Sequence, residues 1–379
     1  MYVVVNLLEE STSQNGSPTR YNTNVVFDRE GTVIARYRKY NLYDEPYVNS
    51  TESPEHSFFD TDFGVRFGVF TCFDILFKEP GLTLWRQYNV TDFVYPTAWF
   101  SKLPHLTAIG VQWGWSYATG ATLLASGENS VRQSHSGSGI YRGAAPPLAY
   151  RLADVDGSFM LLATLPKTGR SFTIMLNCYS RGVNYVVNRT LCQGKFCCHF
   201  YAEVSVNIGP RDATLLRGDD FQFFRYEYMM AVFDGVRDFH GQGTGGSQVC
   251  GIVACLEGEL CRRDGDMALA EVTMAGSFQG EHSFIAPNIF LASHSAHRFG
   301  QLPTPPTFNF VKSPKPNGKV SASLQFGFNA SLISASIYSR VFDRDGQPPS
   351  TAGSSTGTWS FLLCVAISLV FLLRSSRTH

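Results

Sequence analysis

The first 160 residues alternate short apolar runs with polar turns. Residues 1–8 are almost continuously apolar, interrupted at Asn6 and ended by Glu9, and read as a buried strand. They carry no basic n-region and are not expected to act as a signal peptide. Residues 22–27 and 32–36 are two further strand-like runs, joined by Asp28-Arg29-Glu30-Gly31, a turn with glycine where a positive φ is expected. Lys39 follows the second run. Phe63-Gly64 leads into a strand over 65–71, Pro80 stands where a helix starts, and 82–88 carries a short amphipathic pattern. The next strand, 91–95, closes at Pro96. Residues 113–124 predict a helix despite Gly114 and Gly120, and Gly137-Ser138-Gly139 a tight turn. Strand, elbow, helix, strand is an α/β layout built on a parallel sheet.

Beyond about residue 160 the pattern changes to short strands with few helices, at 171–176, 184–187, 200–206 and 249–254. The Gly-rich stretch 241–246 does not follow a strand and open a helix, so it reads as a flexible loop rather than a phosphate cradle. The division expected is 1–160 for an α/β domain, 161–345 for a β-rich domain, and 346–379 for a linker and hydrophobic tail. A chain of 379 residues exceeds one ordinary core, and 30 Phe within a 44% hydrophobic composition predict a bulky, strand-rich interior. Formal net charge is zero, so no basic face argues for nucleic acid.

Cys72 stands alone in the first half, whereas Cys178, Cys192, Cys197, Cys198, Cys250, Cys255 and Cys261 crowd into under ninety residues. Such a cluster is either disulfides or zinc ligands. Adjacent Cys197-Cys198 and the other spacings fit paired zinc thiolates poorly, so no metal site is expected. Asn-x-Ser/Thr sequons at Asn15, Asn49, Asn89, Asn188 and Asn329, taken with the cysteines, favour a secreted route. Residues 359–373, with Cys364 among them, are mostly apolar and would span roughly 22 Å as a helix, short of the roughly 30 Å bilayer core. Small residues at 350–355 precede them. That order suits a glycolipid (GPI) attachment signal better than a spanning helix, although Arg374 and Arg377 resemble a stop-transfer flank.

Cys72 ends an apolar strand just before a helical turn, 33 residues after Lys39. Backbone N–H groups at such a junction favour a thiolate and can hold an oxyanion, and a lysine suits a developing negative charge on a carbonyl oxygen. Hydrolysis by the pair also needs a base, usually Glu or His. The competing reading is one more buried strand cysteine and a surface lysine.

The flanking sequences decide between the two. Tyr37-Arg38-Lys39-Tyr40-Asn41-Leu42-Tyr43, Gly68-Val69-Phe70-Thr71-Cys72-Phe73-Asp74-Ile75-Leu76-Phe77 and Tyr95-Pro96-Thr97-Ala98-Trp99 resemble the vanin and biotinidase branch of the nitrilase superfamily. Gly137-Ser138-Gly139-Ile140-Tyr141 and Leu191-Cys192-Gln193-Gly194-Lys195-Phe196-Cys197-Cys198 carry the resemblance into the second half. The resemblance implies a nitrilase-type αββα sandwich followed by a β-rich, disulfide-stapled domain, and a Glu-Lys-Cys triad that needs no cofactor. Cys72 matches the nucleophile that forms a thioester with an amide carbonyl. Lys39 matches the oxyanion stabiliser, with the Phe73 backbone N–H as a second donor. Glu45 matches a further family glutamate near the pocket, a plain surface role being the alternative. Trp99 is either a pocket wall or a core residue.

The resemblance also implies a gap. The family's triad glutamate lies upstream of the matching lysine in a Pro-Glu-Asp context. Glu9, Glu10 and Glu30 precede Lys39 without that context, and Pro54-Glu55 follows it. The chain is therefore expected to be truncated at its start, to lack its general base, and to hydrolyse negligibly by itself. By the resemblance the substrate is a pantetheine-like small-molecule amide, cleaved to pantothenate and cysteamine, at the extracellular face of a membrane reached through a lipid anchor. A biotinidase-like amidase and a non-catalytic cell-surface binding glycoprotein are the alternatives. His294 and His297 offer two imidazoles without a third ligand and read as surface histidines. His105 and His135 flank expected pocket loops, a structural role being the commoner one for a lone histidine, and Asp74 is expected to anchor the elbow rather than react.

Overall fold

The computed structural model describes residues 1–12, 18–102, 105–153, 155–165, 185–206, 228–239, 241–254, 267–291, 308–327 and 332–350. The expected strand at 171–176, Cys178, Cys255, Cys261, Cys364, sequons Asn15 and Asn329, His294, His297 and the apolar tail lie outside the described residues.

Three strands, β1 (Val3–Thr12), β2 (Pro18–Phe27) and β3 (Val33–Arg38), form an antiparallel sheet in that order. The turn between β2 and β3 is the expected one, with Gly31 at φ +83°. β1 is a strand but not a buried one. It pairs only with β2 in its sheet, and Leu8 is 62% exposed. β2 has the more buried inner end, where Thr23, Asn24 and Val26 are enclosed.

The second sheet runs β4 (Phe58–Asp60), β5 (Arg66–Val69), β6 (Asp92–Thr97), β7 (Thr122–Gly127), β8 (Ser138–Arg142) and β9 (Ala149–Arg151). β5, β6 and β7 are parallel and the outer pairings antiparallel, so the sheet is mixed rather than parallel throughout. Helix α1 (Thr83–Gln87) falls within the amphipathic stretch expected. Helix α2 (Ala108–Thr119) starts and ends earlier than its pattern suggested. Gly120 at φ +73° caps it, and Thr122-Leu123-Leu124, mistaken for its last turn, pairs with β6 instead. A β-branched residue and two leucines suit a buried strand as well as a helix, which periodicity alone does not resolve. The tight turn expected at Gly137-Ser138-Gly139 does not form: Ser138 and Gly139 already belong to β8, and only Gly137 takes a positive φ, +123°.

The remaining described strands are β10 (Tyr185–Gln193), β11 (Phe196–Val206), β12 (Tyr228–Asp238), β13 (Thr244–Ala254), β14 (Met267–Gln279), β15 (Ser283–Leu291), β16 (Phe308–Pro314), β17 (Lys319–Gly327) and β18 (Leu332–Val341). They make two antiparallel sheets, β10-β11-β14-β17-β16 and β12-β13-β18-β15. Phe200, Met274, Phe278, Leu324, Phe326, Ile252 and Ile337 fill the core they share. Disulfide Cys198–Cys250 ties β11 to β13 across that core, and Cys192–Cys197 closes the β10–β11 hairpin. These four cysteines are thus paired with one another. The Gly-rich stretch at 241–246 is only partly a loop, since Thr244 pairs with Asp238 as β13 begins.

The two halves pack directly. Gly110 and Gly114 of α2 face Asn288 and Pro287 of β15 so closely that a Cβ on either would clash, which explains glycines inside a helix. Asn288 donates to the His105 carbonyl at 2.6 Å. Residues 346–350, expected to open a linker, run beside β12, where the Ser350 hydroxyl accepts the Val236 N–H at 2.9 Å.

Candidate active site

β5 delivers the chain into the core through Phe70 and Thr71, and Cys72 then turns it into a short 3₁₀ segment, Cys72–Leu76. Cys72 sits at φ +47°, in the left-handed region that residues with a Cβ avoid. Such strain persists only where surrounding contacts over-determine it, and it is typical of residues presented on a sharp strand-to-helix elbow. Here the contacts are explicit. Tyr95 on β6 donates its hydroxyl to the Cys72 carbonyl at 2.7 Å, and the Asn24 side chain donates to Thr71 Oγ1 at 2.8 Å.

Asp74 is the anchor. It is fully enclosed and accepts the Tyr37 hydroxyl at 2.7 Å, the Asn41 backbone and side-chain N–H groups at 2.9 and 2.8 Å, and the Thr71 N–H at 3.0 Å. Burial raises its pKa, with Lys39 and these donors pulling the other way. The same contact, after burial, pushes the Tyr37 hydroxyl well above its ordinary value.

Tyr37 near the end of β3 and Lys39 just beyond it lie two apart and so face the same side, toward the elbow. Lys39 is 2% exposed. Its ammonium donates to the Glu45 carboxylate, and the Cys72 sulfur lies within its Coulombic reach. Burial alone would lower its pKa, but Cys72, Glu45 and Asp74 outweigh burial and leave it raised, so Lys39 is a cation. Glu45 also accepts from the Asn22 side chain at 2.8 Å and the Tyr43 N–H at 3.2 Å, which makes it an interior partner rather than a surface residue.

The Cys72 thiol opens on a narrow cavity of about 40 Å³ lined chiefly by Tyr43, Phe73, Leu76, Trp99, Phe100 and Leu106, with Ala98 beside the sulfur. Cys72 donates to the Ala98 carbonyl at 3.5 Å. Trp99 both lines this cavity and anchors itself, donating Nε1–H to the Leu106 carbonyl at 2.9 Å. The structure therefore brings together Cys72, Lys39, Glu45, Phe73 and Trp99. Glu9, Glu10 and Glu30 stay outside: Glu9 pairs with Arg38, Glu10 with Arg20 at 2.9 Å, and Glu30 is exposed at the β2–β3 turn. His105 packs against Gly251 and His135 against Phe100, with neither lining the cavity. Asn49, Asn89 and Asn188 are exposed, and the Asn49 side chain accepts the Arg20 N–H.

Sequence reasoning did not single out most of the wall. Tyr43, Leu76 and Ala98 lie inside the segments that carry the resemblance, and Phe100 and Lys102 follow one of them closely. Arg237 and Phe239 come from the end of β12 and the turn after it, nearly 170 residues after Cys72, and no local signal points to them.

A thiol on the elbow of an α/β sheet with a buried lysine beside it is an arrangement that can serve nucleophilic chemistry at a carbonyl. Residues 1–93 match the carbon–nitrogen hydrolase family model, and residues 169–345 match the vanin C-terminal domain. Vanin-like protein 1 of Drosophila melanogaster is 34% identical over 324 residues, covering 72% of this chain and 56% of that protein. Vanin-like protein 2 of the same organism is 36% identical over 300 residues, covering 67% and 55%. Human pantetheinase is 28% identical over 352 residues, covering 80% and 65%. The chain spans about half the length of the Drosophila relatives. It belongs to the vanin-type carbon–nitrogen hydrolases, and its fold is the nitrilase-type α/β architecture followed by a β-rich, disulfide-bearing half.

Proposed function

We propose that this chain carries the acylating half of an amide hydrolase acting on linear C–N bonds, with Cys72 as nucleophile. The observation that carries the reading is the buried Lys39 ammonium, held by Glu45 behind the cavity wall and within Coulombic reach of Cys72, which itself lines the cavity. The sulfur attacks the amide carbonyl carbon, and the buried Lys39 ammonium stabilises the oxyanion. The proton that the thiol gives up passes to the departing nitrogen, the C–N bond breaks, the amine leaves carrying that proton, and a thioester remains on Cys72. Water attack on the thioester releases the acid and restores the thiol.

A base would assist both steps, but acylation moves only the thiol's own proton to the nitrogen, whereas deacylation must take a proton from water. Among the described residues the only carboxylate lining the cavity is Asp238, and Glu45 is committed to Lys39. Deacylation is therefore the slow step for this polypeptide. The relatives named pantetheinase make pantetheine the first substrate to test, with pantothenate as acyl group and cysteamine as leaving amine. Release of cysteamine should show a burst of about one equivalent, followed by a much slower steady phase. Rapid linear turnover would remove the claim about the missing base, and no burst at all would favour a binding glycoprotein.

The domain division near residue 160, the sequons Asn49, Asn89, Asn188 and Asn329, and the tail at 346–379 belong to the same proposal: a glycosylated protein held at the extracellular face by a lipid anchor. Its support is the order of small and apolar residues at the end of the chain and the exposure of Asn49, Asn89 and Asn188. Among the described residues no helix is long and apolar enough to cross a membrane.

A further inference from the structure

The cavity carries three charged groups that acylation leaves unused: Lys102, Arg237 and Asp238. Asp238 is exposed and Lys102 and Arg237 are half-buried, whereas Phe73, Leu76, Trp99, Leu106 and Phe239 are buried, so the charges stand with Phe100 on the open side of the cavity. Asp238 is turned away into its own hairpin, where its two oxygens accept the Gly241 N–H at 2.9 and 3.1 Å. Lys102 donates to the Tyr43 hydroxyl at 3.2 Å. Among the described residues neither Lys102 nor Arg237 has a carboxylate at ion-pair distance. The two cations are near enough to feel one another: burial lowers the Lys102 pKa, and Arg237 lowers it further against the pull of Asp238.

Two cations without a carboxylate at ion-pair distance among the described residues face a common space and repel, Asp238 offsetting this only in part, and the arrangement relaxes when an anion sits between them. The cations also come from opposite halves of the protein, Lys102 from the segment after β6 and Arg237 from the end of β12. Phe239 fixes the second, since it is buried against Phe73 and Phe77. The geometry points to an anion-binding subsite between Lys102 and Arg237, so that the pocket favours amides bearing a carboxylate or phosphate on the part that projects from its mouth. The substrate part of this inference rests on the acylation chemistry proposed above; the anion site does not.

The test separates the two. Alkylation of Cys72 by iodoacetate and by iodoacetamide compares an anionic with a neutral reagent of nearly equal size and needs no turnover. The ratio of the two rates is expected to fall roughly three- to tenfold in Arg237→Gln and in Lys102→Gln, and to be retained in Arg237→Lys. It should also fall with added salt in the wild type more than in the variants. An unchanged ratio in both Gln variants overturns the subsite.

Pantetheine, its phosphate monoester and a carboxylate-terminated analogue are then compared for acylation of Cys72. A wild-type preference for either anionic amide that Arg237→Gln abolishes supports the substrate inference and identifies which anion is taken. Equal acylation by all three overturns that inference. No acylation by any of them, with the alkylation preference intact, defeats the proposed chemistry and leaves the anion site standing.

Discussion

Phe239 packs edge-on against Phe73, the residue after Cys72, with ring centroids 5.4 Å apart and planes at 83°. The β-rich half thus presses on the nucleophile's own elbow through a side chain 3% exposed. Phe239→Ala should cost about 3–5 kcal/mol of stability, as large-to-small core substitutions do, and slow Cys72 acylation in the fraction that folds. Denaturant melts and acylation rates check both; Phe239→Leu, which fills most of the space, should recover most of the stability.

Lys39 and Glu45 should separate in their effects. Lys39→Met removes the charge facing the oxyanion and should slow acylation by about 10²–10³-fold, the usual cost of one such donor. It also leaves Glu45 facing the interior without its cation, so stability should fall as well. Glu45→Gln keeps a hydrogen-bond acceptor for Lys39 and should cost less in rate. Stopped-flow acylation on the two variants measures the order, and a larger loss in Glu45→Gln would give the glutamate a direct part in the chemistry.

Acid should destabilise the protein in two windows. Burial, with Arg237 second, holds the His105 imidazole down at about 3 from an ordinary 6.5. Below pH 6.5 the unfolded chain therefore takes up a proton that the folded one refuses. The stability conferred is complete above pH 6.5 and is lost as pH falls toward 3. His105→Gln should flatten that part of the profile. Glu9 is held at about 2 from 4.5, by its hydrogen bond to Arg38 above all, so its contribution is complete above pH 4.5 and lost toward pH 2. Urea midpoints against pH for wild type, His105→Gln and Glu9→Gln check the two windows.

The two disulfides should differ in worth. Cys198–Cys250 closes a sequence separation of 52 and Cys192–Cys197 one of 5. Chain-entropy reasoning gives about 4 kcal/mol for the longer loop and about 2 kcal/mol for the shorter. The paired substitution Cys198→Ala/Cys250→Ala should lower the unfolding midpoint clearly more than Cys192→Ala/Cys197→Ala.

What the sequence makes legible here is local. Lys39, Cys72 and Trp99 sit in short segments whose order is already suggestive, and Gly31 marks its turn by conformational need alone. Periodicity failed where two structures share one pattern: Thr122-Leu123-Leu124 looks like the end of a helix until β6 is present to pair with it. β1 illustrates the reverse, an apolar run whose burial depends on what lies against it rather than on its own composition. Arg237 and Phe239 were out of reach because a wall supplied from the other half of the chain leaves no trace in local spacing. Glu45 was ambiguous for a simpler reason: its role depends on the Lys39 contact, which only the folded chain makes.

The account stands on Cys72 acting as an acyl acceptor. Intact-mass spectrometry of the protein after brief exposure to pantetheine and an acid quench tests it directly. The expected result is one pantothenoyl adduct per chain, mapped to Cys72, absent in Cys72→Ala and strongly reduced in Lys39→Met. An adduct on another residue, or cysteamine release by Cys72→Ala at the wild-type rate, would contradict it.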